Sequence, residues 1–426
     1  MWRRGDFVWK RAGSRRFQSA VRRNVVEDEG DWKYASEWWG AEGSDGGHTV
    51  FRSTSDHGNG VVSVVSYPCS KPAPEQLPAV EKWLQQRYTK LHPEFEHNEQ
   101  FKVLGYQWRV LHFNDNTRQS ATKVMAAYRK SDPASLYLMQ QPNCLPVPYL
   151  KSMVSAGLTS LASSGYDIFE AVAGKRTLNV LCIGHGGGNL PLFLASKIKG
   201  ANVHSVEIDP VVIAASTQVM GFPSSTVMEK TLVQISSPQP TDSEQLLWQD
   251  VHQRISLYRA DAEDFILNSS NTYDLMFVDA YDGDDIFPHK LWDPKGLFLK
   301  SLKERLHPVH GTVAVNLHSD SDVLASGMAV NCSSEFILPM GKYISQVCRS
   351  YKDNIGLAYK VSVPWLCNIT LVASTGVGLR NGSGGVTVSR DLILSSLVSK
   401  SNLVELLLDL PFPCLEYIKR GFVLVD

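Results

Sequence analysis

Leu178 to Asp209 read LNVLCIGHGGGNLPLFLASKIKGANVHSVEID, and the order of signals in this stretch decides the fold. Leu178 to Ile183 is a short apolar run with the length and β-branched content of a buried strand. It stops at Gly184-His185-Gly186-Gly187-Gly188. An apolar helical pattern follows from about Leu190 to Ile198. A second apolar strand, Val203 to Val206, then ends in Glu207-Ile208-Asp209-Pro210. Strand, glycine turn, helix, strand and terminal acid make a nucleotide-binding βαβ unit. Glycines let the backbone approach a ligand closely, and an acid about 20 residues further on accepts hydrogen bonds from ribose hydroxyls. A tight turn by itself also uses glycine for positive φ. Four glycines in five residues exceed what one turn needs.

Two further pieces follow in order. Ile255 to Ala260 is a short strand-like run ending at Asp261-Ala262-Glu263-Asp264-Phe265. Tyr273 to Val278 is another, ending at Asp279-Ala280-Tyr281-Asp282-Gly283-Asp284-Asp285. Ligands of open α/β sheets bind outside the carboxyl ends of the strands. One such acid alone reads equally well as a helix N-cap. Three strand-end acids in register with a glycine turn read as a site, made of strand-end carboxylates outside the core.

GHGGG, VEID, ADAEDF and DLMFVDAYDGDD together resemble the class I S-adenosylmethionine-dependent methyltransferases, in their spermidine-synthase-like branch. The resemblance runs from about Phe101 to the C-terminus. The central part resembles the C-terminal domain of the methyltransferase-like protein 13 family, which acts on translation elongation factor 1-alpha. That family has a GLGGGSLPLF-like turn where this chain has Gly184 to Phe193. The resemblance implies an α/β fold with a Rossmann-like seven-stranded methyltransferase sheet and a small N-terminal β-rich domain. It implies S-adenosyl-L-methionine as cofactor. Gly184, His185, Gly186 and Gly188 would then lie against its methionine part. Glu207 would take the ribose hydroxyls, Asp261 and Ala262 the adenine, and Asp279 a place beside the reacting sulfonium. Asp279 and Asp282 are the candidate catalytic acids, as base or as orienting groups for an amine.

The branch contains two chemistries, and departures from its motifs separate them. Aminopropyltransferases carry GGGDGG at the turn, and its aspartate helps hold the polyamine. The matching position here is Gly187, with Asn189 following. They also carry DSSDP after the fourth strand, where this chain keeps Asp279 and Asp282 but not the serines or the proline. Tyr149-Leu150-Lys151-Ser152-Met153 sits where they carry YQEM, without its glutamine and glutamate. A diamine site needs several carboxylates to offset two buried ammonium charges. These departures favour a methyltransferase, and the family resemblance implies a protein amine as its acceptor. Aminopropyl transfer and a catalytically silent scaffold are the alternatives.

Composition bounds the rest. The chain has 426 residues, 43% hydrophobic and 20% charged, which suits two to three globular domains. A net charge of −1 gives no whole-chain footprint for nucleic acid. No apolar run approaches the ~18 residues of a membrane span, so no membrane partner is expected. Seven cysteines are scattered with no zinc spacing, so no metal is expected. Their odd count favours a reducing compartment.

Residues 1–25 hold seven arginines and one acid, with interspersed aromatics. That is the signature of an organelle transit peptide, with mitochondrion as the expected destination. A plain basic tail, with the protein in cytoplasm, or chloroplast import are the alternatives. Residues 26–150 read as an N-terminal β-containing region, with a strand at Val61 to Tyr67, a helix at Val80 to Leu91 and a hairpin strand at Phe101 to Phe113. Gln119 matches a glutamine of the family placed after that strand. Small β-domains of this kind help the branch oligomerise, which implies a homodimer. Residues 151–426 read as the Rossmann-like domain. Within it, Gly221 to Arg254 is too long for a simple loop and reads as a mobile surface insertion. Ile355 to Val363 and Asn368 to Ala373 read as a hairpin-like closing edge.

Overall fold

The structure is a computed structural model that describes residues 47–69, 77–93, 100–115, 117–230, 235–236, 238–284, 286–318, 342–364, 368–376 and 390–426. The basic segment 1–25, the tryptophans at 32, 38 and 39 and the Gly/Asn/Ser turn at 380–385 lie outside the described residues.

Alternating strands build an antiparallel meander: β1 (His48–Thr54), β2 (Val61–Pro68), β3 (Phe101–Phe113), β4 (Thr117–Arg129) and β5 (Asp132–Gln140), neighbours in that order. Between β2 and β3, α1 (Leu77–Leu91) buries Leu84 and Tyr88. Tyr88 meets Phe101 edge-on, with ring centroids 5.6 Å apart. The apolar core under the meander is continuous with that of the following sheet, since Trp108, Met125, Leu150 and Phe193 belong to one cluster.

The chain then runs through α2 (Pro148–Ser163), α3 (Ile168–Val172), β6 (Leu178–Ile183), α4 (Asn189–Lys197), β7 (Ala201–Glu207) and α5 (Pro210–Gln218). Next come β8 (Val227–Lys230), β9 (Ile235–Ser236), α6 (Asp242–Trp248), β10 (Ile255–Arg259), α7 (Ala262–Asn268), β11 (Leu275–Val278), α8 (Leu297–Arg305) and β12 (Thr312–His318). The C-terminal part supplies α9 (Lys342–Ile355), β13 (Leu357–Ser362), β14 (Asn368–Ser374), α10 (Arg390–Leu408), α11 (Glu416–Lys419) and β15 (Val423–Leu424). These strands form one sheet ordered β15-β13-β14-β12-β11-β6-β7-β10-β8-β9. β10, β7, β6, β11 and β12 are mutually parallel, and β14 runs antiparallel to both β12 and β13. From β6 the chain winds one way to β7 and β10, and the other way to β11 and β12. The carboxyl ends of β6 and β11 therefore flank the switch point where such sheets bind ligands.

Two expectations change. Among the described residues the sheet has ten strands rather than seven. The expected seven form its contiguous middle, and β15 and the β8–β9 pair extend the two edges. β13 and β14 pair antiparallel as the expected closing hairpin, with β14 against β12 and only the two-residue β15 outside β13. The insertion at 221–254 is also not simply a mobile surface loop. A capping box of Thr241 and Glu244 starts α6, and Glu244 also accepts from the Ser225 N–H and the Ser224 hydroxyl, each at 2.9 Å. α6 buries Leu246, Leu247 and Trp248, and the Arg87 guanidinium of α1 donates to the Leu247 carbonyl at 2.8 Å. The segment braces the meander against the larger sheet. Residues 231–234 and 237 lie outside the described residues.

Candidate active site

The carboxyl ends of β6, β7, β10 and β11 open into a cavity of about 310 Å³. That volume is at the small end for ligand pockets. Gly184, His185, Gly186, Glu207, Asp261, Ala262, Asp279 and Asp282 all line it. Gly188 does not: it is the N-cap of α4, backed by the Phe222 ring. The turn depends on glycine at two places for different reasons. Gly184 has φ of 85° and would drive a Cβ into the Asp279 carbonyl, so β6 and β11 can approach only without a side chain. At Gly187 a Cβ would lie 2.7 Å from Thr122 Cγ2 and 2.8 Å from both Met220 Cε and Ser120 Oγ.

Glu207 closes β7 and is only 8% exposed. One carboxylate oxygen accepts from the His185 N–H and the other from the Asp209 N–H, each at 3.0 Å. Burial pushes its carboxyl above the ordinary range, against the pull of these backbone N–H groups. A carboxylate has about four acceptor sites, so capacity remains for a diol.

The His185 side chain is committed elsewhere. Its Nδ1 lies 3.2 Å from Ser205 Oγ, its Nε2 3.0 Å from Ser216 Oγ, and its ring meets Phe222 edge-on at 4.6 Å. Ser216 donates to the Ile213 carbonyl, so it accepts from Nε2–H and fixes a neutral tautomer. Burial pushes this imidazole down to about 3. Because the folded value is lowered, the stabilisation is complete above the unfolded value near 6.5 and is lost as pH falls toward the folded value. The fold should lose about 1.4 kcal/mol per pH unit through His185 over that window. Melting curves between about pH 7.5 and 5 should show a shallower acid limb for His185→Gln than for the natural chain. Identical limbs would mean that His185 is not held neutral.

Asp261 caps α7, accepting from the Glu263 and Asp264 N–H groups at 2.9 and 3.3 Å, and pairs with the Lys290 ammonium. Burial opposes its ionisation, but Lys290 and the helix N–H groups outweigh this and lower its pKa. Asp279 accepts at Oδ1 from Asn316 Nδ2 at 2.9 Å. Asp282 turns back on its own loop, accepting from the Asp284 and Ile286 N–H groups at 3.0 and 2.9 Å. Both loop contacts use Asp282 Oδ1, and Asp282 lines the cavity together with Asp279.

The meander supplies the facing wall, which sequence reasoning touched only at Gln119. The Ser120 hydroxyl accepts from the Gly187 N–H at 3.2 Å. Asn59 in the β1–β2 turn donates to the buried Asp209 carboxylate at 2.7 Å. Asn114 in the β3–β4 turn donates to the Gly283 carbonyl at 2.8 Å. Lys290, Asn316 and His318 were also missed, since nothing in the linear spacing ties them to the acids. A glycine cradle, a ribose-type carboxylate and a strand-end acid beside the cradle are the donor set that S-adenosylmethionine needs. Among the described residues no group of three or more His, Cys, Asp or Glu side chains could hold a metal ion.

The fold class is a Rossmann-like, doubly wound α/β sheet, here with a β-meander over the carboxyl ends of its strands. No protein-family model matches the chain. Over 55 residues, 13% of its length, it is 42% identical to the eEF1A lysine and N-terminal methyltransferase of Bos taurus. Against the same protein of Mus musculus the identity is 40% over 55 residues. The chain spans 8% of the length of these curated relatives. Human methyltransferase-like protein 13 in complex with SAH is a structural neighbour at TM-score 0.41 and 19% identity, covering 62% of this chain and 93% of that one. A probable spermidine synthase from Corynebacterium glutamicum gives TM-score 0.40 and 14% identity, covering 72% of this chain and 92% of that one.

Proposed function

We propose that this chain is an S-adenosylmethionine-dependent methyltransferase whose acceptor is a protein amine. The observation that carries the reading against aminopropyl transfer is Gly187. The position where a polyamine enzyme holds an aspartate is walled by Thr122, Met220 and Ser120 within 2.8 Å of a Cβ. A carboxylate there would have to displace the Thr122, Met220 and Ser120 side chains. Lys151, at the YQEM-like position, is fully buried, with its ammonium over the Phe412 ring at 5.8 Å. A diamine would meet too few carboxylates to offset its charge. The relatives named as acting on eEF1A support a protein acceptor.

The bound cofactor supplies a methyl carbon on a cationic sulfonium. Gly184 to Gly186 and Glu207 hold and orient it, and Asp261 caps the helix at the adenine end. Asp279 accepts a hydrogen bond from the incoming amine and takes its proton, leaving a lone pair aligned for attack. The meander turns line the cavity mouth through His57, Asn59 and Phe113.

Calorimetry tests the reading. S-adenosylmethionine and S-adenosylhomocysteine should bind about tenfold or more tightly than decarboxylated S-adenosylmethionine, the scale of losing one charged contact. Preference for the decarboxylated form, with turnover of putrescine or spermidine, would replace the reading by aminopropyl transfer.

A further inference from the structure

We infer that Asn368 and Asn316 form a positioning relay that holds the Asp279 carboxylate in its working orientation. The inference rests on the methyltransferase reading above. Asn316 lies near the end of β12, and Asn368 opens β14 beside it in the antiparallel ladder. Both are buried. Asn316 Nδ2 donates to Asp279 Oδ1 at 2.9 Å, and Asn368 Nδ2 donates to Asn316 Oδ1 at 3.0 Å. Asn368 does not line the cavity.

The direction of this chain is forced by chemistry. An ionised carboxylate only accepts hydrogen bonds. Asn316 must therefore show Asp279 its nitrogen, which turns its oxygen toward Asn368, and Asn368 must donate. A primary amide has two orientations of the same shape, related by a flip that exchanges oxygen and nitrogen. Asn368 selects one of them. The backbone of the same segment is fixed separately: the Tyr281 hydroxyl donates to the Asn316 carbonyl and accepts from the His318 N–H, both at 3.0 Å. With the backbone pinned, the side-chain flip is the remaining freedom, and β14 controls it from outside the cavity. The relay thus fixes how the Asp279 carboxylate is turned at the place where the reading above puts the sulfonium and the amine.

The test compares a cationic ligand with a neutral one. S-adenosylmethionine carries its charge at the sulfur, and S-adenosylhomocysteine does not. Asn368→Asp replaces the donor by an acceptor, which draws the Asn316 nitrogen to itself and turns the Asn316 oxygen onto Asp279. Asn316→Ala removes the donor outright, and it carries the test if Asn368→Asp does not fold. In either folded variant the ratio of affinities, S-adenosylmethionine over S-adenosylhomocysteine, should fall about tenfold, and in Asn368→Asp, which lies outside the cavity, S-adenosylhomocysteine binding should stay within about twofold. Asn368→Ser, which keeps a donor, should restore much of the ratio. Equal weakening of both ligands, or an unchanged ratio, overturns the relay and leaves the methyltransferase reading standing. A natural chain that binds neither ligand overturns both.

Discussion

Asp279→Asn is expected to slow methyl transfer about 10²–10⁴-fold, the range for losing a positioned general base, with the fold and S-adenosylhomocysteine binding kept. The variant has the same shape. Asn316 Nδ2 can still donate to the remaining carbonyl oxygen, and the backbone N–H of residue 279 still donates to the Ile183 carbonyl at 2.8 Å. What disappears is the negative charge and the acceptor for the amine proton. A lysine amine, with an ordinary pKa near 10.4, is protonated at neutral pH and has no lone pair until that proton leaves. The rate loss should therefore appear in kcat more than in binding. Methyl-labelled S-adenosylmethionine, incubated with lysate from cells lacking the enzyme, separates protein label from small-molecule label. Transfer at the natural rate by Asp279→Asn would remove Asp279 from the mechanism. Label confined to small molecules with the natural chain would end the protein-acceptor reading. Label in neither fraction, despite confirmed cofactor binding, would favour the scaffold alternative.

Legibility in the sequence followed burial and period. The β6–α4–β7 unit was readable because Leu178 to Ile183 and Val203 to Val206 are apolar runs punctuated by glycines and an acid, signals that act over a few residues. The strands at β10 and β11 were readable for the same reason. The β13–β14 pair was readable too, but β15 outside it was not, because a two-residue strand, Val423–Leu424, carries no period of its own. The insertion at 221–254 looked mobile because its serines and prolines dominate composition. The Thr241-to-Glu244 capping box followed by Leu246-Leu247-Trp248 was the overlooked signal of a packed helix. In the site, acids at strand ends were legible as a set, but their tasks were not. Asp279 and Asp282 differ only in which N–H groups reach them, and loop geometry decides that. The facing wall was illegible because Asn59 and Ser120 reach Asp209 and Gly187 across 150 and 67 positions of chain.

Glu207→Ala should produce the largest loss in cofactor affinity and also a loss in stability. Read as a strand-end carboxylate outside the core, Glu207 would leave the fold intact when removed. The structure argues otherwise, since it is 8% exposed and both oxygens accept from backbone N–H groups at 3.0 Å. Its truncation strands the His185 and Asp209 N–H donors in a buried place, at about 1–3 kcal/mol each. Part of that is offset, because burial already raises the carboxyl's pKa and the charge is held against desolvation. The two donors lie at the ends of the elements that shape the cavity. His185 N–H belongs to the glycine turn, and Asp209 caps α5 while holding Asn59 of the meander. Both lips of the site should loosen together. S-adenosylhomocysteine affinity is expected to fall by about 3 kcal/mol or more, roughly a hundredfold, and the melting temperature by several degrees. Glu207→Gln keeps the volume and one accepting oxygen but turns an amide N–H₂ toward the second donor, so it should fall between. Asp261→Ala should do less, because its partner Lys290 is 44% exposed and their ion pair is partly screened by water. Wild-type ligand affinity in folded Glu207→Ala would mean that the carboxyl end of β7 does not hold the ribose.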